Sequence, residues 1–275
     1  MSLATNHLRR VLFSSSVGGV LEMYDFVLFI FLAPILAHNF LPKQNPTIAL
    51  MYTLVIFAVG YLVRPLGGVL FGHFGDRVGR KRGLLVAITL MGVATVAIGC
   101  LPSYQQVGIA STILLLLCRL VQGVAVGGDL PGALIFTGEH SSERTIAFNC
   151  SLVFLGINLG SLLAAGSVAC LHYGLATQAM LSWGWRLPFL ASAMLFLLGR
   201  YMRKRAPESA DFLHQQNAKQ LYRRPLVALW NQHSTLISRG CGLLSLFAMC
   251  ISLLFLYMPN FLQFQALSQH RNVLL

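Results

Sequence analysis

The sequence predicts an all-α, polytopic membrane protein: a bundle of six transmembrane helices followed by about one further helix. Three observations carry this. The 275 residues are 56% hydrophobic and only 10% charged, with a mean hydropathy of +0.70, whereas a soluble core of this size needs far more polar surface. Apolar runs of about 20 residues or more, long enough to cross a bilayer, recur along the chain. Lys and Arg collect in alternate connections, as they do on the cytoplasmic side of a membrane.

Taken in order, residues 1 to 13 are short and basic (Arg9, Arg10), which places the amino terminus in the cytoplasm. Span one follows, from about Ser14 to His38. It carries Glu22 and Asp25 and is too long for the apolar core of a signal peptide, so it reads as a first span and not as a removable leader. Pro42 and Pro46 mark a short external loop, and span two runs from about Thr47 to Phe71. The stretch from Gly72 to Arg82 reads as a cytosolic hairpin. Its glycines permit a sharp turn, and Arg77, Arg80, Lys81 and Arg82 form a positive cluster around Asp76, which can cap a helix end or pair with a base.

Span three, from about Gly83 to Leu101, ends at an uncharged Leu101-Pro102-Ser103 turn. Span four, from about Val107 to Phe136, contains Arg119, Gln122 and Asp129. A polar cytoplasmic turn from Glu139 to Arg144 leads to span five, about Ala147 to Leu171. Span six starts after Trp183-Gly184-Trp185-Arg186, where the tryptophans suit a membrane interface, and ends near Arg200. The basic group Arg200, Arg203, Lys204 and Arg205 holds that end on the cytoplasmic side. A polar stretch, 206–235, reads as a cytoplasmic linker, and 236–275 as holding one further span, from about Leu236 to Gln263. The inferred external loops hold only Lys43 among the bases outside the spans.

The remaining composition excludes several classes. A net charge of +12 suggests nucleic acid, but the bases lie in short loops between apolar spans, so no nucleic-acid partner is expected. The 6 Cys lie in or beside apolar runs with no Cys-x-x-Cys pair, and the 8 His are scattered. No metal, cofactor or enzymatic nucleophile is expected. Gly68-x-x-x-Gly72, Gly123-x-x-x-Gly127, Gly128-x-x-x-Gly132 and Gly156-x-x-x-Gly160 place small residues one turn apart, a signature of close helix packing in lipid. A nucleotide-binding loop is the rival, and it fails because no strand precedes these glycines.

Charges inside the membrane are costly and point to function. Glu22 and Asp25 are i, i+3 and share a face of span one. At 1.5 Å per residue they lie roughly 12 to 17 Å into the membrane, and Arg119, counted from the other side, roughly 18 Å in. An acid and a base can therefore meet across the bundle. Burial disfavours a charged carboxyl and a nearby arginine favours it, so its protonation depends on conformation. Arg119 can instead hold a substrate carboxylate through two parallel hydrogen bonds. The alternative is a structural ion pair that sets helix register. Asp129 lies nearer the cytoplasmic edge and suits a structural or gating role, though it remains among the candidate pathway residues with Glu22, Asp25, Arg119 and Gln122.

The pattern Gly72-x-x-x-Asp76-Arg77-x-Gly79-Arg80-Lys81 resembles the loop between helices two and three of the major facilitator superfamily. Arg64-Pro65-Leu66-Gly67-Gly68 before it resembles the metabolite:proton symporter branch, whose members carry proline and betaine, citrate, shikimate or 2-oxoglutarate. Gly19 to Phe26 is similar to that branch's first-helix signature, with Met23 where an aromatic is usual. Arg119 to Asp129 is similar to its fourth-helix motif, with Asp129 where Glu is usual. Trp183 to Phe189 and Pro207-Glu208-Ser209 match the sixth helix and its exit.

The resemblance implies a cytoplasmic gate made of Gly72, Asp76, Arg77, Gly79, Arg80 and Lys81 with Glu139 and Arg144, although Thr145 replaces a usual glycine. It also implies proton coupling through the fourth-helix arginine. Twelve spans of about 20 residues would take about 240 residues in the membrane alone. The resemblance therefore implies the amino-terminal six-helix bundle, 1–205, plus the first helix of an incomplete carboxy-terminal bundle, 236–275. The implied function is proton-coupled transport of a small organic acid or zwitterionic osmolyte across the inner membrane, with the substrate, protons and the lipid bilayer as partners. Transport by this chain alone is not expected, and a second half supplied separately is one option. The alternative is a non-transporting membrane protein, either a remnant or a subunit of a split carrier.

Overall fold

The computed structural model describes residues 2–42, 45–209, 212–214 and 225–251. The chain divides into two compact units, Met1–Arg223 and Arg224–Leu275. In the first, α1 (Ser2–Phe40), α2 (Pro46–Leu62), α3 (Arg64–Val78), α4 (Arg80–Cys100), the short α5 (Tyr104–Val107), α6 (Ile109–Glu139) and α7 (Ile146–Gly174) follow in order. A three-residue turn α8 (Thr177–Ala179) and a π-helical segment (Met180–Gly184) then lead into α9 (Arg186–Arg205). The second unit is described by α10 (Pro225–Ile251).

Local chemistry explains the boundaries. Asn45 caps α2 by accepting the Thr47 amide at 3.0 Å, with Pro46 in the first turn, where its missing N–H costs nothing. Pro65 cannot donate to the turn before it, and the helix breaks at Val63. Gly79 takes φ +117 and ends α3. The hairpin expected from Gly72 is therefore mostly helix: α3 runs on to Val78 and the turn is Gly79 alone. Asp76 and Arg80 pair across it at 2.6 Å. Span six likewise continues past Arg200 to Arg205.

Among the described residues, five helices or joined helices are long and apolar enough to cross a membrane: Leu8–Phe40, Pro46–Val78, Arg80–Cys100, Ile109–Glu139 and Ile146–Gly174. The pair Thr177–Gly184 and Arg186–Arg205, bent by 50°, makes a sixth. The protein is a multi-pass membrane protein. The seventh expected span falls partly outside the described residues, beyond Ile251. Helix α10 starts at Pro225, inside the stretch read as linker, and holds Asn231, Gln232, His233 and Arg239.

Helix α1 is the axis of the bundle, packing against α2, α6, α7 and α9. Its contact with α7 depends on Gly156 and Gly160, whose missing β-carbons leave room for the carbonyls of Ser16 and Val20. Gly60 and Gly123 do the same between α2 and α6, and Gly127 faces the Arg64 carbonyl on α3. One apolar core gathers Phe29, Leu32, Leu36 and Phe40 of α1 around Trp185 and Phe189. Another joins Leu21 to Ile88, Met91 and Val126. Leu62, Leu162 and Met194 are exposed on the outside, as befits a bundle whose solvent is hydrocarbon.

Candidate functional site

Helix α1 carries Glu22 and Asp25 toward α3 and α6, and both are buried. Asp25 is fully engaged. One carboxylate oxygen accepts from Arg119 Nη1 at 2.9 Å, and the other from Gln122 Nε2 at 2.8 Å. Gln122 Nε2 also reaches Thr95 Oγ1 at 2.9 Å, which ties α1, α4 and α6 into one network. The Arg119 guanidinium lies 3.7 Å from the centre of the Phe29 ring, a cation–π contact that supports a buried charge.

Glu22 does not share this arrangement. Its nearest base is Arg64 of α3 at 3.7 Å, beyond hydrogen-bond reach, and its Oε2 has no hydrogen-bond partner. Arg64 itself sits 3.9 Å from the centre of the Tyr61 ring and 5.6 Å from that of Phe26. Glu22, Asp25, Arg64, Arg119 and Gln122 line one cleft with a volume of about 20 Å³, roughly enough for one water. Arg119 Nε and Nη2 and Gln122 Oε1 are also buried without partners. The cleft thus holds a nearly balanced set of charges with polar atoms to spare, which suits ionic and hydrogen-bonding ligands.

Asp129 lies elsewhere. It forms a fully buried, two-pronged pair with Arg203 of α9, through both Arg203 terminal nitrogens, and Arg203 Nη1 also donates to the Leu84 carbonyl at 2.7 Å. Gly18 of α1 makes the space, since a β-carbon there would strike the Arg203 guanidinium. Sequence reasoning treated Arg203 only as a topological anchor. Its burial, two residues before the exposed Arg205, has no counterpart in composition.

At the end of the bundle where α3 meets α4, Arg80 bridges Asp76, at 2.6 Å, and Glu139, at 3.3 Å, joining α3, α4 and α6. Glu208 completes this cluster: its carboxylate accepts the Lys81 amide at 3.0 Å at the start of α4, where exposed N–H groups favour an acid. Glu208 was matched only as part of a motif, and its being a lone acid after four bases was the available signal. Arg77 and Arg144 enter no ion pair among the described residues. A β-carbon on Gly72 would meet open space, so that glycine is not required by packing in this bundle. Among the described residues no cluster of three or more His, Cys, Asp or Glu could hold a metal ion.

Comparison with known proteins gives a consistent result. The sequence pattern of the family described as sugar (and other) transporter matches residues 11–236. The shikimate transporter of Escherichia coli (strain K12) is 41% identical over 217 residues, covering 78% of this chain and 50% of the relative. The proline/betaine transporter of Salmonella typhimurium (strain LT2) is 34% identical over 264 residues, covering 93% of this chain and 53% of the relative. The chain thus spans about half the length of these curated relatives. Among solved structures, the proton:xylose symporter XylE bound to 6-bromo-6-deoxy-D-glucose superposes with a TM-score of 0.70 at 17% identity, covering 86% of this chain and 52% of that one.

Proposed function

Because the chain belongs to the sugar (and other) transporter family of the major facilitator superfamily, we propose that it forms the amino-terminal bundle of a proton-coupled carrier for a small organic acid or zwitterionic osmolyte. The observation that carries this reading is the buried Asp25–Arg119–Gln122 network in a cleft shared with Glu22 and Arg64. Burying charged groups in the membrane is costly enough that a solute and proton pathway is the economical explanation. The relatives named for shikimate and for proline and betaine support the substrate class. The bacterial relatives and the basic cytoplasmic loops support an inner-membrane location with the amino terminus in the cytoplasm.

The mechanism is alternating access: this bundle and a second one rock about the midplane site, and protonation shifts the balance between outward- and inward-facing states. The second bundle lies on the same polypeptide or on a separate one. The Asp76–Arg80–Glu139 bridge, with Glu208 at the start of α4, holds the cytoplasmic side together in one of those states.

Uptake of labelled proline, glycine betaine and shikimate by proteoliposomes under an inward proton gradient tests this, for the chain alone and for a version joined to a second six-helix bundle. Accumulation in the joined version, abolished by a protonophore, is the expected result. Accumulation indifferent to the protonophore, or none by either version, overturns it.

A further inference from the structure

At the end of the bundle opposite the Arg80 bridge, the last turn of α1, the α5 turn and the π-helical segment enclose a pocket of about 460 Å³. Small-molecule sites usually span about 300–1,000 Å³. This pocket shares no lining residue with the cleft. His38, in its wall, stands far beyond Asp25 on α1, about 20 Å along the helix. The transport reading above makes no use of it.

One charge in this pocket is held ready. The Arg186 guanidinium lies 4.4 Å from the centre of the buried Trp185 ring and donates to the Ser182 carbonyl at 3.0 Å and the Leu101 carbonyl at 2.9 Å. These contacts leave further N–H donors for a ligand, and a guanidinium already fixed in place loses little freedom on binding one. The wall behind it is the π turn closed by the Trp185 amide on the Met180 carbonyl at 3.3 Å, a rare backbone form that recurs at functional sites. Neighbouring groups are each half used. Gln106 accepts the Ser103 amide at 3.0 Å through Oε1, which leaves its NH2 to donate. Asn39 is the reverse: Nδ2 donates to the Ile35 and Leu181 carbonyls at 2.9 and 3.0 Å, which leaves Oδ1 to accept. Ser182 Oγ donates to the Gln178 carbonyl at 2.9 Å and can still accept. No Asp or Glu is among the described residues lining the pocket.

We propose that this pocket is a second binding site, outside the cleft, for a small hydroxylated carboxylate. Arg186 and the Gln106 amide take the carboxylate, and Asn39 Oδ1 and Ser182 Oγ accept from the ligand's hydroxyls, so each group supplies the half of a hydrogen bond that its own contacts leave over. A zwitterion brings an ammonium that meets no acid among the described lining residues, and a neutral polyol gives Arg186 no anion. Both are refused. A lipid headgroup that joins a phosphate to free hydroxyls presents the same chemistry, and the test separates the two sources.

The purified chain carrying Gln105→Cys in the pocket wall is placed in phosphatidylcholine nanodiscs, and the rate at which N-ethylmaleimide labels that position is read by peptide mass. Gluconate and shikimate, one open-chain and one cyclic, should each slow labelling in a saturable way, whereas sorbitol and glycine betaine at the same concentration should not. Arg186→Gln in this background should weaken the protecting affinity about tenfold or more, and Arg186→Lys by less. Gln106→Glu keeps an acceptor for the Ser103 amide but sets an acid against the incoming carboxylate, and should weaken it similarly; it serves if Arg186→Gln fails to fold. Protection by neither acid, equal protection by sorbitol or glycine betaine, or protection unchanged in a folded Arg186→Gln or Gln106→Glu overturns the proposal. With no acid added, labelling in phosphatidylglycerol nanodiscs should be as fast as in phosphatidylcholine. Slower labelling there, relieved by Arg186→Gln, would give the pocket to a lipid headgroup and overturn the soluble ligand. Protection at Gln105 needs no transport, so this proposal and the carrier reading can fail separately.

Discussion

Asp25 and Arg119 illustrate how a single buried pair carries both stability and a functional hypothesis. Arg119→Ala leaves Asp25 with only Gln122 for support, and breaking a buried pair from one side typically costs about 3–5 kcal/mol. We expect a lower melting temperature in detergent and no gradient-driven uptake in the joined version. Asp25→Asn keeps an acceptor for Arg119 and should be milder in stability while still abolishing uptake. Asp129 and Arg203 form a second pair, and neither lines the cleft. Asp129→Ala should therefore destabilise by a similar amount, about 3–5 kcal/mol, whereas the double change Asp129→Leu with Arg203→Met removes both charges and should cost less than either single loss. A thermal-denaturation double-mutant cycle in which the two effects simply add would disprove the coupling.

Helices in this bundle meet where glycines let them. A β-carbon at Gly160 would run into the Val20 carbonyl of α1, so Gly160→Leu must push α1 and α7 apart, at a cost of about 1–3 kcal/mol. Cross-linking yield between cysteines placed on α1 and α7 should fall with it, and an unchanged yield would contradict the close approach. Gly79 is a different case. Its φ of +117 lies where side chains are strained, and a β-carbon would stand 2.5 Å from a Glu208 oxygen. Gly79→Ala should cost about 1–3 kcal/mol and loosen the Glu208 cap on α4, seen as faster amide exchange at Lys81. By contrast Gly72→Ala, which meets open space, should be nearly neutral to the stability of this bundle.

For the whole molecule the prediction is one of sidedness. In right-side-out vesicles a single cysteine at Ser142, in the turn between α6 and α7, should react only with a membrane-permeant maleimide, and one at Gln105 should react with an impermeant reagent as well. The reverse pattern would invert the bundle. Much of this arrangement was legible beforehand. The depth of Asp25 and Arg119 follows from rise per residue, and the two do bond. The same arithmetic grouped Glu22 with Asp25 on one face, yet the structure gives them different partners, because a shared face leaves the neighbour at each level undetermined. Asp129 stands ten residues beyond Arg119 on α6, where its place near the helix end suits a structural or gating role, but its partner on α9 is not legible in the sequence. Arg203 was read through its position in a basic run, which says nothing of a glycine at position 18 that opens room for a guanidinium.

Hydropathy, length and the placement of Lys and Arg are local properties that add along a chain, so the sequence by itself determined that this is a helical membrane protein and the order of its first six spans. Which acid meets which base depends on how each helix is rotated about its own axis and how near its neighbour can come. Those are consequences of packing between segments far apart in the chain, and only the tertiary structure decided them: Asp25 with Arg119, Asp129 with Arg203, and Glu22 left loosely facing Arg64.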